Sequence, residues 1–565
     1  MTTILPLHDN EKVNTKRIRK CGSLRLNRRC SQLVLIGLGT LFLYFVFRFL
    51  TLSINTKQSD QLSPLVSQME PDTPDCPGIF SSKEMEVSRY STALGNNCTA
   101  FENIEHYRLS EQRRSKIKAG FLHAWNNYVQ KAIGWDEISP VSGEPNNRFN
   151  GWGATLFDSL DTMLIMDLQA EFDQAKQYVK AVNFNQTSGV NFFETTIRYL
   201  GGLISAYELS GDSMLLDKAH DLGNNLLKAF RTESGYPLNY VDFQSEITPN
   251  QWSSGICILA EIGSFQLEFR RLSELTKNPV FMEKGQKVID TLDKIETPYP
   301  GLVPVKLDGS TGKAVSSQIS FGALGDSYYE YLLKQYLMTG KGVHQYRRMY
   351  ETSIDSMKKH MIAESRGQTY LSSLDSNLNI EQYLEHLTCF APGLLALGAK
   401  TLNRPEDLEL AKKLVETCYN AYITTETGLG PEKIAWLSDS DSLDGLNSKN
   451  IKDVLDHGFY VDTSYYILRP ETIESIFYLY RLTGDRKYQE WGWKIFNALE
   501  KSSRTEYGYS GLNDVNNPNT LDNKMESFFM AETMKYLYLL FSSPELINLD
   551  DYVFSTEAHP IKIKH

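Results

Sequence analysis

The chain has 565 residues, 41% of them hydrophobic, and a formal net charge of −11. Length alone allows about two to four domains with a large buried core. The acidic balance, with no basic cluster beyond the N-terminus, argues against a nucleic-acid partner.

Residues 1–31 carry Lys16, Arg17, Arg19, Lys20, Arg25, Arg28 and Arg29, and an apolar stretch from Leu33 to Ile54 follows, interrupted only by Arg48. That stretch is long enough to span a bilayer, with Arg48 snorkelling toward the far interface. The long basic flank favours a retained signal anchor over a cleaved signal peptide. The expected organisation is a cytosolic basic tail at 1–31, a transmembrane helix at 32–54, a stem at 55–95 and the main folded domain at 96–565. After the span only Lys57 precedes Asp60, Glu70 and Asp72, so the positive-inside rule puts the N-terminus in the cytosol and the rest in the lumen. Pro64, Pro71, Pro74 and Pro77 suit an extended stem. Asn97-Cys98-Thr99 and Asn185-Gln186-Thr187 are glycosylation sequons. Cys21 and Cys30 fall on the cytosolic side; Cys76, Cys98, Cys257, Cys389 and Cys418 fall in an oxidising compartment, an odd number that leaves a free thiol or an intermolecular bridge.

From about residue 105 the pattern is helical and repeats. Tyr207-Glu208-Leu209-Ser210-Gly211-Asp212 leads into Leu216–Phe230, and Tyr480-Arg481-Leu482-Thr483-Gly484-Asp485 leads into Tyr488–Leu499. Similar turns fall near Thr276-Lys277-Asn278, Met338-Thr339-Gly340, Asn403-Arg404-Pro405 and Ser542-Ser543-Pro544. With the pair begun by Asp158 to Asp167, this predicts about seven helical pairs at spacings longer than common helical arrays use. The expected fold is all-α, a closed (α/α)7 barrel of inner and outer helices.

The first helix of each pair carries ionisable groups: Asp158 and Asp161, Glu194, Glu261, Asp326, His386, Glu471 with Glu474, and Glu526 with Glu532. Charges among apolar inner helices are costly unless paired or functional, and each lies ahead of its turn, so a barrel could bring them together at one end. Two segments echo one another: Leu468-Arg469-Pro470-Glu471-Thr472-Ile473-Glu474, with Pro470 suited to a first helical turn, and Phe193-Glu194-Thr195-Thr196-Ile197-Arg198. A ring of acids without Cys/His pairs suits cation or hydroxyl recognition rather than zinc chemistry, and paired carboxyls are the minimum for glycoside hydrolysis.

Five collinear segments carry a more specific likeness. They are Gly151-Trp152-Gly153-Ala154-Thr155-Leu156-Phe157-Asp158-Ser159-Leu160-Asp161-Thr162, Phe193 to Arg198, Asp326-Ser327-Tyr328-Tyr329-Glu330-Tyr331, Leu468 to Glu474, and Phe554-Ser555-Thr556-Glu557-Ala558-His559-Pro560. Across about residues 105–562 the chain resembles the class I α-1,2-mannosidases, glycoside hydrolase family 47. The resemblance implies a calcium-dependent inverting enzyme that trims high-mannose N-glycans in glycoprotein maturation and quality control, on a barrel of seven helical pairs. It implies an endoplasmic-reticulum membrane location, with the Golgi as alternative.

By the same resemblance Glu471 is the general base, and the acid is Glu194 or Asp326. Thr556 is the Ca2+ ligand, through its hydroxyl and carbonyl oxygens. Glu261, Glu474, Glu532 and Glu557 hold water and sugar hydroxyls around it, Arg198 and Arg469 join the substrate contacts, and Phe528 is the platform beneath the terminal mannose. His386 binds a sugar hydroxyl or is a hydrogen-bonded structural histidine, and the resemblance favours the site. Cys389 and Cys418 match a family disulfide, and Cys257 is then the free thiol if Cys76 pairs with Cys98. One departure concerns specificity: endoplasmic-reticulum members carry Arg two residues before the Asp of Asp326-Ser327-Tyr328, where Leu324 stands here as in Golgi-type enzymes. Loss of that multi-donor side chain relaxes branch choice. A mannose-binding, lectin-like factor of the same fold is the alternative reading.

Overall fold

The computed structural model describes residues 100–186, 189–244 and 255–564. The expected tail, membrane helix and stem lie outside the described residues, as do Asn97, Cys76 and Cys98. Among the described residues no helix is long and apolar enough to cross a membrane.

Helix α1 spans Ala100–Ala132. Six consecutive pairs follow: α2 (Ala154–Ile165) with α3 (Gln169–Ala181), α4 (Gly201–Ser210) with α5 (Ser213–Leu226), α6 (Gln266–Thr276) with α7 (Val280–Leu292), α8 (Asp326–Met338) with α9 (His344–His360), α10 (Ala391–Leu402) with α11 (Pro405–Ile423), and α12 (Glu471–Thr483) with α13 (Lys487–Ser502). Helix α14 (Met534–Leu540) completes the set. The even-numbered helices form the inner ring: each packs against the next, and α14 with the turn before it closes onto α2. The seventh outer helix is α1, which packs on α14.

Composition explains the two layers. In α2 every residue but Leu164 is buried, as an inner helix touched on all sides requires. Outer helix α7 is amphipathic instead, burying Phe281, Gly285, Val288, Ile289 and Leu292 at helical spacing. The turns fall where expected. Gly211 and Gly484 end α4 and α12 with φ of 74° and 71°, a left-handed conformation that costs glycine little. Asp212 then caps α5 by accepting from the Met214 N–H at 3.1 Å.

Two expectations change. The turn at Ser542-Ser543-Pro544 does not lead into a second helix, because α1, from the far end of the domain, already covers α14. The chain turns instead into a hairpin, Tyr552–Phe554 paired with Pro560–Lys562, that packs on inner helices α8 and α4. The segments joining the pairs also form small antiparallel sheets. One of three strands pairs Tyr383–Glu385 with Lys433–Trp436 and that with Phe459–Thr463.

Candidate active site

The inner helices begin around a cavity of about 310 Å³ lined by Glu194, Glu261, Asp326, Glu330, Glu471, Glu474, Glu532 and Glu557, with Arg198, Arg469, Phe528, Thr556 and Leu324. Eight carboxyl groups thus face two guanidinium groups. Of the catalytic, substrate and metal residues that the family likeness implies, all but His386 line this wall. Asp158, Asp161 and Glu526 also lie elsewhere: Glu526 pairs with Arg148 at 2.7 Å, and the two aspartates are fully buried behind the wall.

Irregular backbone places the site side chains. Residues Thr195–Leu200 and Phe529–Thr533 are π-helical turns, which aim Arg198 and Glu532 at the cavity. Three non-glycine residues with positive φ flank it: Leu324 (74°) ahead of Asp326, Leu468 (67°) ahead of Arg469 and Glu471, and Ala558 (57°) just after Glu557. Such residues cost free energy and persist only where surrounding packing holds them. For Leu468 that packing includes a bond from the Thr533 hydroxyl to its carbonyl at 2.7 Å.

Glu471 is the most elaborately held acid. Its Oε2 lies 2.7 Å from His386 Nδ1, and its Oε1 lies 3.5 Å from an Arg469 nitrogen. Arg469 is itself fixed by a two-pronged pair with Glu432 at 2.6 and 2.7 Å. Burial alone would raise the Glu471 carboxyl, but the Arg469 charge and the His386 bond outweigh it and hold it below its ordinary range. His386 makes the protein hydrogen bonds that its alternative, structural role calls for. Its Nε2 lies 2.6 Å from the Tyr422 hydroxyl, so both ring nitrogens are committed within the protein and the ring stands behind Glu471.

Asp326 has the opposite character. Burial raises its carboxyl to about 7, with the Glu330 and Glu471 charges adding to the effect against bonds from Ser327. Glu194 accepts from Arg198 Nε at 2.9 Å, and Arg198 also pairs with Glu557 and reaches Asp158 at 3.5 Å. The Arg198 guanidinium lies 5.8 Å from the Phe528 ring centre and 4.8 Å from that of Phe149. Burial lifts Glu261 to about 7 with help from Glu194, lifts Glu474 and Glu557 to about 8, and raises Glu532 well above its usual value. Glu261 Oε2 is buried without a hydrogen-bond partner among the described residues.

This chemistry fits a hard cation. Calcium prefers oxygen donors, and Thr556 offers a hydroxyl and a carbonyl beside carboxyls that destabilise one another. No group of three or more His, Cys, Asp or Glu among the described residues is placed to hold an ion by itself. Thr556 and the carboxyls beside it are the residues that would hold such an ion.

Comparison with known proteins agrees with the geometry. The fold superposes on an alpha-1,2-mannosidase from Trichoderma reesei with a TM-score of 0.77 at 35% identity, covering 80% of this chain and 99% of that one. The family model described as Glycosyl hydrolase family 47 matches residues 120–563. The chain belongs to glycosyl hydrolase family 47. Among relatives of this family-47 chain, a mannosyl-oligosaccharide 1,2-alpha-mannosidase of Arabidopsis thaliana is 44% identical over 80% of this chain and 79% of its own length. The endoplasmic reticulum mannosyl-oligosaccharide 1,2-alpha-mannosidase of Homo sapiens is 43% identical over 78% of this chain and 63% of its own.

The disulfide expected from family likeness is present. Cys389 and Cys418 are bonded, their Cα atoms 6.0 Å apart, tying the entry to α10 onto α11. Cys257 is free and buried, and burial pushes its thiol up to about 12. Asn185 is exposed, and its side-chain carbonyl accepts from Asn225 at 3.0 Å. Sequence reasoning missed Asp136. Its buried carboxylate accepts from the backbone N–H groups of Phe149, Gly151, Trp152, Gly153 and Ala154 and from the Tyr199 hydroxyl, shaping the loop that carries Phe149 to Arg198. Only the Trp-Gly motif beside that loop hinted that such a fixed turn was needed.

Proposed function

We propose that this chain is a calcium-dependent, inverting α-1,2-mannosidase that removes terminal α-1,2-linked mannose from high-mannose N-glycans during glycoprotein maturation and quality control. The observation that carries the reading is one cavity containing an ionised Glu471 and an Asp326 carboxyl poised to hold a proton near neutrality. Relatives named as 1,2-alpha-mannosidases at 40–44% identity support the linkage specificity.

Glu471 takes a proton from a water as that water attacks the anomeric carbon, and Asp326 gives its proton to the departing glycosidic oxygen. The released mannose is then the β anomer, and proton exchange with solvent resets both groups. Arg469 and His386 hold Glu471 ionised and aligned. Arg198 holds Glu194 against the cavity, and Phe528 supplies an apolar face for the sugar ring. Thr556, with water and the acids Glu261, Glu474, Glu532 and Glu557 around it, would hold calcium, which when bound would supply a cation to orient sugar hydroxyls. The N-terminal basic and apolar segments support a single-pass anchor with the barrel in the endoplasmic-reticulum lumen, the Golgi being the alternative on account of Leu324.

The test uses the full-length protein in detergent on untrimmed high-mannose glycan, with calcium or with a chelator, following the anomer of released mannose by NMR. β-Mannose released only with calcium, and lost by orders of magnitude in Glu471→Gln while glycan binding survives, is the expected result. α-Mannose as the first product would end the inverting assignment. Binding without release under either condition would turn the reading to a lectin-like factor.

A further inference from the structure

The hairpin that carries Thr556 enters the inner ring and is gripped there by a cluster of buried charges outside the catalytic wall. Lys535, on α14, donates to the Ala558 carbonyl at 2.7 Å and pairs with Asp161, on α2, at 3.0 Å. Asp161 also meets His559 Nδ1 at 2.8 Å, and Asp158, one turn earlier on α2, faces the other ring nitrogen at 3.8 Å. Lys535, Asp161, Asp158 and His559 are all completely buried. Helix α4 makes room for the ring. A Cβ on Gly201 would meet His559 Cδ2 at 2.8 Å, and one on Gly202 would meet the Phe157 carbonyl at 2.5 Å.

Burying this much charge is a poor way to gain stability, since well-packed apolar groups of similar volume often serve as well. What such a cluster supplies is a unique register. The tip from Ser555 to His559 has further anchors: Ser555 and His559 bond across the turn at 2.9 Å, the His559 N–H donates to the Ser555 hydroxyl at 3.2 Å, Ala558 donates to the Ser555 carbonyl at 3.0 Å, the Thr556 N–H rests on the Tyr331 hydroxyl at 3.2 Å, and Arg198 pairs with the Glu557 carboxyl. Ala558 also holds a left-handed backbone, which must be imposed from outside. Lys535 imposes it by binding the Ala558 carbonyl, and His559 anchors the next residue to Asp161. Burial would lower the His559 imidazolium, but the Asp161 carboxylate raises it to about 9, so the clamp is two cations on a shared anion.

We propose that Lys535, Asp161 and His559 form a positioning clamp that fixes the backbone of the hairpin tip and thereby sets where the Thr556 oxygens stand in the site, while Arg198 holds the Glu557 carboxyl. Lys535, Asp161 and His559 do not line the cavity. The clamp's consequence for cation binding rests on the reading of Thr556 as a calcium ligand; its consequence for the tip does not.

The experiment measures amide hydrogen exchange of residues 552–562, and calcium affinity by calorimetry, on chelator-stripped full-length protein in detergent. In Lys535→Met and in His559→Leu, exchange at Ala558 and His559 rises and calcium binding weakens, each by about tenfold or more, the ratio expected for losing one hydrogen bond to a charged group. Exchange in α9 and α11 stays as in the unchanged protein. His559→Gln, whose amide can still donate to Asp161, restores both readouts to within about threefold. Tip exchange and calcium affinity at unchanged levels in the folded Leu and Met variants would overturn the clamp. If Lys535→Met does not fold, the His559→Leu and His559→Gln pair decides. Absence of calcium binding by the unaltered protein would refute the metal reading alone, with the exchange rates still deciding the clamp.

Discussion

Replacing His386 by leucine separates the two roles that residue could have. In the structure its Nδ1 lies 2.7 Å from Glu471 and the ring does not line the cavity. A hydrogen bond to a charged group is worth about 1.5–3 kcal/mol, which corresponds to roughly a 10- to 100-fold loss in kcat if the bond aligns the base for the transition state. KM for a high-mannose glycan should change little. The pH profile gives a second readout. Glu471 acts ionised, and the His386 bond helps keep its carboxyl low, so kcat/KM falls on the acid side as Glu471 gains a proton. Without His386 that limb moves toward neutral pH. Tyr422→Phe should give a milder version: in the neutral imidazole the tyrosine hydroxyl donates to Nε2 and keeps the proton on the Glu471 side. The assay is initial-rate kinetics across pH on both variants. A raised KM with kcat and the acid limb unchanged would refute the positioning argument and return His386 to direct sugar binding.

The basic limb should report Asp326, activity declining as pH rises through about 7; an Asp326→Asn variant that retains this limb at comparable kcat would exclude Asp326 as the acid. Stability without calcium should fall as pH rises from about 4.3, the unfolded glutamate value, toward 8. The folded carboxyls of Glu261, Glu474 and Glu557 sit at about 7 to 8, so the native state binds more protons over that window. Differential scanning of chelated protein at pH 5 and pH 8 tests the sign, and added calcium should recover most of the loss at pH 8. Replacing Cys389 by alanine should cost about 2–4 kcal/mol, read as a lower denaturant midpoint with kcat retained, because the bond closes a 29-residue separation between α10 and α11. Leu324→Arg adds a multi-donor side chain at a rim position that is 40% exposed, and should narrow the set of glycan isomers produced; an unchanged product series would remove Leu324 from branch selection.

The helical pairs were legible because their signals are local. Apolar inner helices, amphipathic outer ones and Gly-Asp turns such as Gly211-Asp212 and Gly484-Asp485 leave their pattern within a few residues of chain. The site residues were legible as a set for the same reason: acids at the start of apolar helices are costly, and they recur. Their arrangement was not legible. Asp158 and Asp161 looked like Glu194 and Glu261, yet they lie behind the wall and bind Arg198, His559 and Lys535, because α2 meets α14 and the terminal hairpin rather than the cavity. For His386 the sequence allowed a sugar contact or a structural hydrogen bond, and the bond to Glu471 spans an 85-residue separation that only the fold closes.

From the sequence alone came the helical repeat, the acid-rich chemistry and the family likeness, all properties of short segments. Only tertiary structure decided that α1 closes the ring with α14, that a hairpin rather than an outer helix follows α14, and which carboxyls burial pushes up and which a neighbouring cation holds low. These depend on contacts between residues hundreds of positions apart and on how deeply each carboxyl is buried. A carboxyl's proton affinity is set by the charges and solvent around it, and those neighbours are chosen by the fold.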